Sequence, residues 1–257
     1  MKFLDQTFAS PAENLACDEA LLDAAECGES GEVLRIWESP QPFVVVGYAN
    51  RIASEVNVQA CKAKGIPVLR RCSGGGTVLQ GPGCLSYALV LANFDSGPMN
   101  NISSTNRFIM ERNRAVIEDL LSDDVAAELA TTIHVVIRGH TDLALITHRP
   151  LPTDPRKFSG NSQRRRRSFV LFHGTFLLDF DLSLAGECLL MPSRQPEYRA
   201  DRTHDDFLIN LKLPPDTVKR ALCEAWSANS LSSDYPSERI ASLISDKYST
   251  TKWNYKF

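Results

Sequence analysis

Three consecutive glycines stand directly in front of a strand-like segment in RRCSGGGTVL, residues 70–79. Glycine has no Cβ, so such a run can adopt positive φ angles and lets another molecule approach the backbone closely. The N–H groups that it exposes can bind an anion or lie along an extended ligand. Arg70 and Arg71 come immediately before it, and a guanidinium group binds carboxylate or phosphate through two nitrogens. The segment therefore predicts a ligand-binding loop, with a glycine-rich hairpin and two solvated arginines as the alternative.

A second glycine-bearing segment, RKFSGNSQR at residues 156–164, predicts another loop, with a cation, small residues and amide side chains. Asn and Gln side chains both donate and accept hydrogen bonds, so they can orient a polar ligand. His-Gly-Thr at 173–175 then opens an apolar strand-like run. We expect the two segments to form one pocket for a ligand with an acidic head and an extended apolar body. No GK[ST] or GxGxxG pattern is present, so the P-loop and dinucleotide fingerprints do not apply.

The remaining pattern predicts an α+β fold, because antiparallel hairpins alternate with helices without the regular order of a doubly wound sheet. The length of 257 residues suffices for one sizeable domain. We expect a catalytic domain over residues 1–213 and a C-terminal helical extension, residues 214–257, packed on it. Helical patterns cover residues 13–26, 56–65, 105–121, 216–229 and 237–249; strand patterns cover 33–37, 43–47, 85–92, 134–138, 142–146 and 169–182; three prolines predict an exposed loop at 147–156.

Charge and cysteine content restrict the class of protein. The formal charge of −3 gives no general attraction for nucleic acid, and a local patch would have to supply it. One such patch, residues 156–167, has six basic residues and no acid, but few aromatic residues between them. The N-terminal segment lacks a signal-peptide pattern, no apolar run could cross a bilayer, and the seven cysteines form no CxxC pair. These features predict a cytoplasmic protein that binds no membrane, and they argue against nucleic acid as a partner.

At this point two motifs carry a resemblance to a known family. RRCSGGGTV resembles the RRxSGGGxV signature of the lipoate–protein ligases, and RKFSGNSQRR followed by HGT is similar to their KxSGxAQRR and HGT segments. The flanking pieces NLACDEALL, LRIWE, VVVGYANRIASEVN and DLAL are similar too. The resemblance runs from about residue 12 to about residue 182. It implies a biotin/lipoate ligase-like catalytic core of mixed, largely antiparallel sheets flanked by helices.

The resemblance also implies a reaction. ATP, with Mg²⁺, would activate lipoate or octanoate as an acyl-adenylate, and the acyl group would pass to a lysine of a lipoyl-accepting domain. Lys157 would be the catalytic cation that stabilises developing negative charge. The implied ligand-binding residues belong to the two motifs; they are Arg70, Arg71, Ser73, Gly74, Gly75, Gly76, Thr77, Gln80, Ser159, Gly160, Asn161, Gln163, Arg164, His173, Gly174 and Thr175.

The chain departs from the family pattern at several places. Gln80-Gly81 and Gly83-Cys84 stand where the family usually has His-Asp and Gly-Asn, which leaves the exact acyl substrate open. Thr141-Asp142 stands where the family often has Asn-Asp, so Asp142 is either a Mg²⁺ ligand or a hairpin cap. Residues 192–211 have no assigned role. Related ligases often carry an accessory domain, which here would lie on a separate subunit unless the enzyme is intrinsically compact.

Two other functions remain open at this stage. An octanoyl or lipoyl transferase of the same fold would use a cysteine thioester, which needs an activated thiolate next to the lysine. No cysteine lies between Cys84 and Cys188, and Cys188 falls in an apolar run that predicts burial. An inactive homologue could instead use the arginines at 164–167 to bind protein or RNA. The GRGRxxRxW-type motif of biotin ligases is absent.

Overall fold

The computed structural model describes residues 1–93, 96–124, 132–149, 151–152, 154–192 and 194–257. The strands are β1 (Lys2–Asp5), β2 (Val33–Glu38), β3 (Phe43–Val46), β4 (Val68–Arg70), β5 (Val78–Gln80), β6 (Cys84–Ala92), β7 (Thr132–Arg138), β8 (Asp142–Arg149), β9 (Leu151–Pro152), β10 (Arg156–Arg165), β11 (Phe169–Leu177) and β12 (Ser230–Leu231). The helices are α1 (Pro11–Glu26), α2 (Ile52–Glu55), α3 (Val58–Ala63), α4 (Ile102–Asp124), α5 (Ser183–Cys188), α6 (His204–Phe207), α7 (Pro215–Ala225), α8 (Ser237–Leu243) and α9 (Thr251–Asn254).

Within these ranges, nine strands form one large sheet in the order β12-β1-β2-β6-β11-β10-β8-β7, with β9 paired to β8. The pairs from β2 to β7 are antiparallel, whereas β1 pairs in parallel with both β2 and β12. A second sheet has the order β4-β3-β5. Helices flank the large sheet, so the predicted α+β class with mixed, largely antiparallel sheets is confirmed. Among the described residues, no helix is long and apolar enough to cross a membrane.

The large sheet is buried on both faces, and β6 shows how. Leu85, Tyr87 and Leu89 pack into a core cluster with α4 and α7, whereas Ala88 and Val90 pack into another with α1. Successive side chains of a strand point to opposite faces, so a strand buried on both faces reads as a continuous apolar run. The sequence CLSYALVLA has this composition.

Helix α1 begins at Pro11, two residues before the predicted start. Ser10 caps it: its hydroxyl accepts from the Glu13 N–H, and the Glu13 carboxylate accepts from the Ser10 N–H. This reciprocal capping box satisfies N–H groups that have no partner inside the helix, and proline at the first helical position needs none. The helix therefore has a fixed start above the sheet.

The prediction of an exposed loop at 147–156 is wrong. Strand β8 continues to Arg149, Leu151–Pro152 pairs with it as β9, and β10 already begins at Arg156. The second glycine segment, expected as a loop, is also a strand, because residues 159–165 pair with β11 over seven positions. Its polar side chains gave no strand pattern, because the segment is held as a strand by backbone hydrogen bonds to the apolar neighbour β11.

Residues after 213 fill space in both core clusters. Val218, Leu222 and Trp226 of the α7 region pack on α4, while Ile240 and Tyr248 pack beside α1. Helix α8 continues as a π-helical turn over Ile244–Tyr248. The boundary between residues 213 and 214 stays a prediction, but these helices are bound to the same cores as the large sheet.

Leu222→Ala tests this contribution. Leu222 is fully buried, so truncation removes apolar contacts and leaves a cavity, which costs about 2–5 kcal/mol of unfolding free energy. The exposed neighbour Arg220 is the matched control, and Arg220→Ala should change stability by no more than about 0.5 kcal/mol. Urea unfolding followed by fluorescence measures both. Equal stability of the two variants would contradict this packing.

Candidate active site

A cavity of about 960 Å³ lies between the glycine loop, β10 and β11. Both sequence motifs reach it, and Ser162 on β10 donates a 2.9 Å hydrogen bond to the Gly74 carbonyl of the loop. Most of the predicted site residues line it, namely Arg71, Gly75, Gly76, Thr77, Gln80, Asp142, Lys157, Ser159, Gly160, Asn161, His173, Gly174 and Thr175. The structure thus brings the two motifs together around one space.

Lys157 lies in this cavity with a carboxylate partner. Its Nζ is 2.7 Å from Asp142 Oδ1, and both side chains are mostly buried. Gly160 pairs with Asp142 across β10 and β8, and a Cβ at Gly160 would come within 2.8 Å of the lysine Nζ. Glycine at 160 therefore leaves the volume that the ammonium group occupies.

The glycine of the HGT motif, Gly174, is required by a neighbouring side chain as well. Gly174 faces Asn161 across β10 and β11, and a Cβ at Gly174 would overlap the Asn161 side-chain oxygen. That oxygen accepts a 2.7 Å hydrogen bond from the Tyr87 hydroxyl, which accepts in turn from Asn113 on α4. Trp226 donates to the other end of the Asn113 amide. Asn161 is thus fixed from the core side of the sheet.

Arg71 holds the glycine loop in shape. Its guanidinium donates to the carbonyls of Gly74 and Gly76, at 2.8 Å for Gly76, and to Ser73 Oγ at 3.1 Å. Burial lowers the pKa of this guanidinium to about 10. Gly75, between the two carbonyls, has a φ of 84°, in the left-handed region that favours glycine. The loop therefore wraps around a buried cation.

Arg70, expected along the acyl and phosphate channel, is placed elsewhere. It is fully buried and donates to the carbonyls of Gly47, Tyr48 and Asn50, while its backbone carbonyl accepts from Trp253. Adjacent residues of a strand point to opposite sides, so Arg71 faces the cavity and Arg70 faces the C-terminal segment. Arg70 thus stabilises the fold and does not line the cavity.

Four other predicted residues do not line the cavity. Ser73 is buried next to His173, and Gly74 is an exposed residue of the loop. Gln163 donates to the Ile102 carbonyl at 3.1 Å, and the Arg164 guanidinium lies over the Tyr48 ring.

The arginine run at 164–167 is partly committed to the fold. Arg165 donates to the Met99 carbonyl, and Arg166 forms a 2.7 Å ion pair with Asp23 of α1. Two of the four arginines thus have partners within the protein and need no nucleic acid to account for them.

A chain of buried polar groups, of which His173 and Asp18 line the cavity, connects the glycine loop to α1. Ser73 Oγ is 2.6 Å from His173 Nε2, and His173 Nδ1 is 3.2 Å from Asp18 Oδ2. Asp18 forms a buried 2.6 Å ion pair with Arg35. Since Ser73 accepts from Arg71, it can donate to His173, which can then donate to Asp18. Asp18 and Arg35 were not predicted as site residues; the signal for them was a charged residue inside each of the apolar segments NLACDEALL and LRIWE.

Metal binding has one predicted ligand here, Asp142. Its second carboxylate oxygen accepts a 2.9 Å hydrogen bond from the Tyr198 hydroxyl, so both oxygens have protein partners. Within the described residues, no group of three or more His, Cys, Asp or Glu side chains could hold a metal ion.

The fold and this site define an acyl-transfer enzyme class, and the chain belongs to the lipoyl protein ligase A/B catalytic domain family, whose profile matches residues 10–225. An octanoyltransferase LipM from Kyrpidia tusciae is 26% identical over 96% of this chain and 95% of its own length. A putative lipoate-protein ligase A from Aeropyrum pernix is 28% identical over 88% of this chain and 74% of its own. A bi-partite lipoate protein ligase from Thermoplasma acidophilum shares the fold, with a TM-score of 0.76, 22% identity and coverage of 99% and 95%. The predicted family is therefore confirmed.

Two glycine substitutions test the structure of the loop. An alanine Cβ at Gly75 would lie 2.9 Å from Arg71 Nη2 at a positive φ, so Gly75→Ala should cost about 1–3 kcal/mol of unfolding free energy. Gly74 is exposed, and a Cβ added there would have no other atom within 4 Å, so Gly74→Ala should stay within about 0.5 kcal/mol of the wild type. Urea denaturation compares them. The loop geometry would be contradicted if Gly74→Ala proved the more damaging change.

Proposed function

We propose that this chain is an ATP-dependent lipoate–protein ligase, which activates lipoate or octanoate as acyl-AMP and transfers the acyl group to a lysine of a lipoyl-accepting domain. One observation carries the choice of mechanism. All seven cysteines lie within the described residues, and none of them lines the cavity that contains Lys157.

A thioester route would need a reactive thiolate beside Lys157, and the candidate cysteines do not offer one. Cys188 is fully buried beside Cys61 in a core cluster, although its neighbours Ala185 and Leu189 do line the cavity. Burial raises the pKa of the Cys188 thiol. It also raises the pKa of Cys72 and Cys84, the cysteines nearest the glycine loop in sequence, to about 12. Such thiols remain protonated at neutral pH and are poor nucleophiles.

The cavity offers both surfaces that the ligase substrates require. Leu15, Trp37 and Val45, which belong to one core cluster, give it an apolar wall for an acyl chain. Lys157 and Arg138 supply positive charge on the strands β10 and β7. Its volume is near the upper end of the usual range for ligand pockets, about 300–1,000 Å³, which suits an acid and a nucleotide bound together.

The chemistry assigned to Lys157 follows from charge. In the first step a carboxylate oxygen attacks the α-phosphorus of ATP, the new O–P bond forms and pyrophosphate leaves. In the second step the acceptor amine attacks the acyl carbonyl and AMP leaves, with loss of one proton from the amine. Negative charge builds beside the carboxyl and phosphate oxygens in both steps. A fixed ammonium group in a largely buried site stabilises that charge more than solvent would.

Mg²⁺ fits this proposal through Asp142, because each of its carboxylate oxygens can accept a further contact beside those with Lys157 and Tyr198. Magnesium usually keeps several waters and binds one or two protein carboxylates together with substrate phosphates, so a single aspartate is a sufficient protein ligand. When bound, the ion would neutralise phosphate charge. Asp142 itself holds Lys157 and would bring the ammonium group to the same phosphates.

We further propose that the acceptor is a separate lipoyl domain and that an accessory subunit can take part. The support is the family together with the bi-partite composition of the T. acidophilum ligase, whose catalytic fold this chain shares over nearly its full length.

An octanoyltransferase is the second candidate function. The observation that favours it is the LipM name of several relatives that align over almost the whole chain, including those of K. tusciae and Bacillus subtilis. Such an enzyme would take the octanoyl group from a thioester donor and would need no ATP.

Purified protein with lipoate, Mg²⁺, α-labelled ATP and a lipoyl domain separates these functions. We expect acyl-AMP and a lipoylated domain, with a rate loss of about 10²–10³-fold in Lys157→Ala because the fixed cation is removed. Lys212→Ala, at an exposed lysine, and Cys188→Ala should both retain activity.

A parallel reaction supplies octanoyl thioester on a carrier protein and omits ATP. Octanoyl transfer there, with a protein thioester that Cys188→Ala abolishes, would replace the ligase by the transferase. Absence of product in both reactions would exclude both enzyme functions.

A further inference from the structure

The segment 194–208, to which no motif assigns a role, forms the wall of the cavity beside Lys157. Tyr198, His204 and Phe207 line the cavity from this segment. Its end is attached to the lysine itself, because the Ile209 N–H donates a 3.0 Å hydrogen bond to the Lys157 carbonyl. The segment therefore reaches the catalytic strand at the residue that carries the ammonium group.

Tyr198 contributes the polar contact of this wall. Its hydroxyl donates to Asp142 Oδ2 at 2.9 Å, while Asp142 Oδ1 is 2.7 Å from Lys157 Nζ. Each of the two carboxylate oxygens thus has its own partner, and rotation of the carboxylate would break both contacts. Burial and the neighbouring carboxylate raise the pKa of the Tyr198 phenol, which keeps it a donor.

Tyr198 is held in place by its own neighbours. Its ring packs on Phe207, with centroids 5.2 Å apart, and the Arg199 and Arg202 guanidinium groups lie over the same phenylalanine at 4.8 and 5.3 Å. Arg202 also donates to the carbonyls of Tyr198 and Pro155, at 2.8 Å each. Backbone and ring of Tyr198 are therefore both fixed before any substrate binds.

We propose that Tyr198 is a positioning residue for the acyl-activation step: it fixes the Asp142 carboxylate, which in turn holds the Lys157 ammonium in one place. The proposal rests on the proposed function in so far as Lys157 acts in catalysis. A lysine side chain has four flexible bonds, so its charge is preorganised only when a partner of fixed orientation holds it. Precise placement of such a group depends on the residues that support it.

Amine labelling tests the positioning without any substrate. Wild type, Tyr198→Phe and the control Tyr235→Phe, whose ring packs edge-on against Phe8 away from the cavity lining, are treated briefly with an acylating reagent. Mass spectrometry gives the labelling of Lys157 relative to exposed Lys252. Release of the carboxylate should raise this ratio at least about threefold in Tyr198→Phe and leave it unchanged in Tyr235→Phe. An unchanged ratio in Tyr198→Phe overturns the proposal.

Kinetics of acyl-AMP formation give a second readout. Tyr198→Phe should lower kcat about tenfold and change KM for acid and ATP less than about twofold, because contacts with the ground-state substrates remain. In an Asp142→Ala background, which has no acceptor for the Tyr198 hydroxyl, the same change should have no further effect, since both variants remove one interaction. Additive losses, or an effect on KM alone, would show a general structural role and overturn the proposal. A wild type without acyl-AMP formation would instead disprove the ligase function, and labelling would still decide the role of Tyr198.

Discussion

The buried guanidinium of Arg35 is the constraint on which the site depends. It is fully buried and donates to the carbonyls of Gln6 and Asn14 and to the Asp18 carboxylate. An unpaired charge in such a place costs several kcal/mol, so α1 has to lie over β2 in the register that supplies these acceptors. Asp18 is then in position to hold His173, which orders Ser73 and through it the arginine that shapes the glycine loop. The geometry of the glycine loop thus depends on the contacts that α1 makes through Asp18.

Much of this could be predicted from residues alone, because the motif residues act through short-range chemistry. Gly75, Gly76, Gly160 and Lys157 do line one cavity, and the fold class followed from the order of elements. That Arg71 lines the cavity and Arg70 does not could not be predicted. It depends on which side of β4 faces the cavity and on a partner, Asn254, that lies 184 positions away and accepts from the Arg70 backbone. That β10 is a strand could not be predicted either, because its polar sequence shows no strand pattern and its hydrogen bonds depend on the pairing with β11.

Ligase and transferase differ in the group that leaves the acyl carbonyl, and this explains how one family contains both. Either donor must present a carbonyl to an incoming lysine, and in our proposal the space around Lys157 serves that shared step. The donors make different further demands. A thioester intermediate needs a thiolate in the cavity, whereas an adenylate needs room and charge for phosphate.

The contact between Gly174 and Asn161 restricts which substitutions homologues can accept at these two positions. The amide of Asn161 fills the volume that any larger side chain at 174 would need, and its hydrogen bonds to Tyr87 and to the Thr141 carbonyl leave it no other orientation. Homologues should therefore alter these two positions jointly or leave both alone. A smaller residue at 161 would permit a bulkier one opposite, and such paired exchanges would mark lineages in which this pocket has been rebuilt for a different acid.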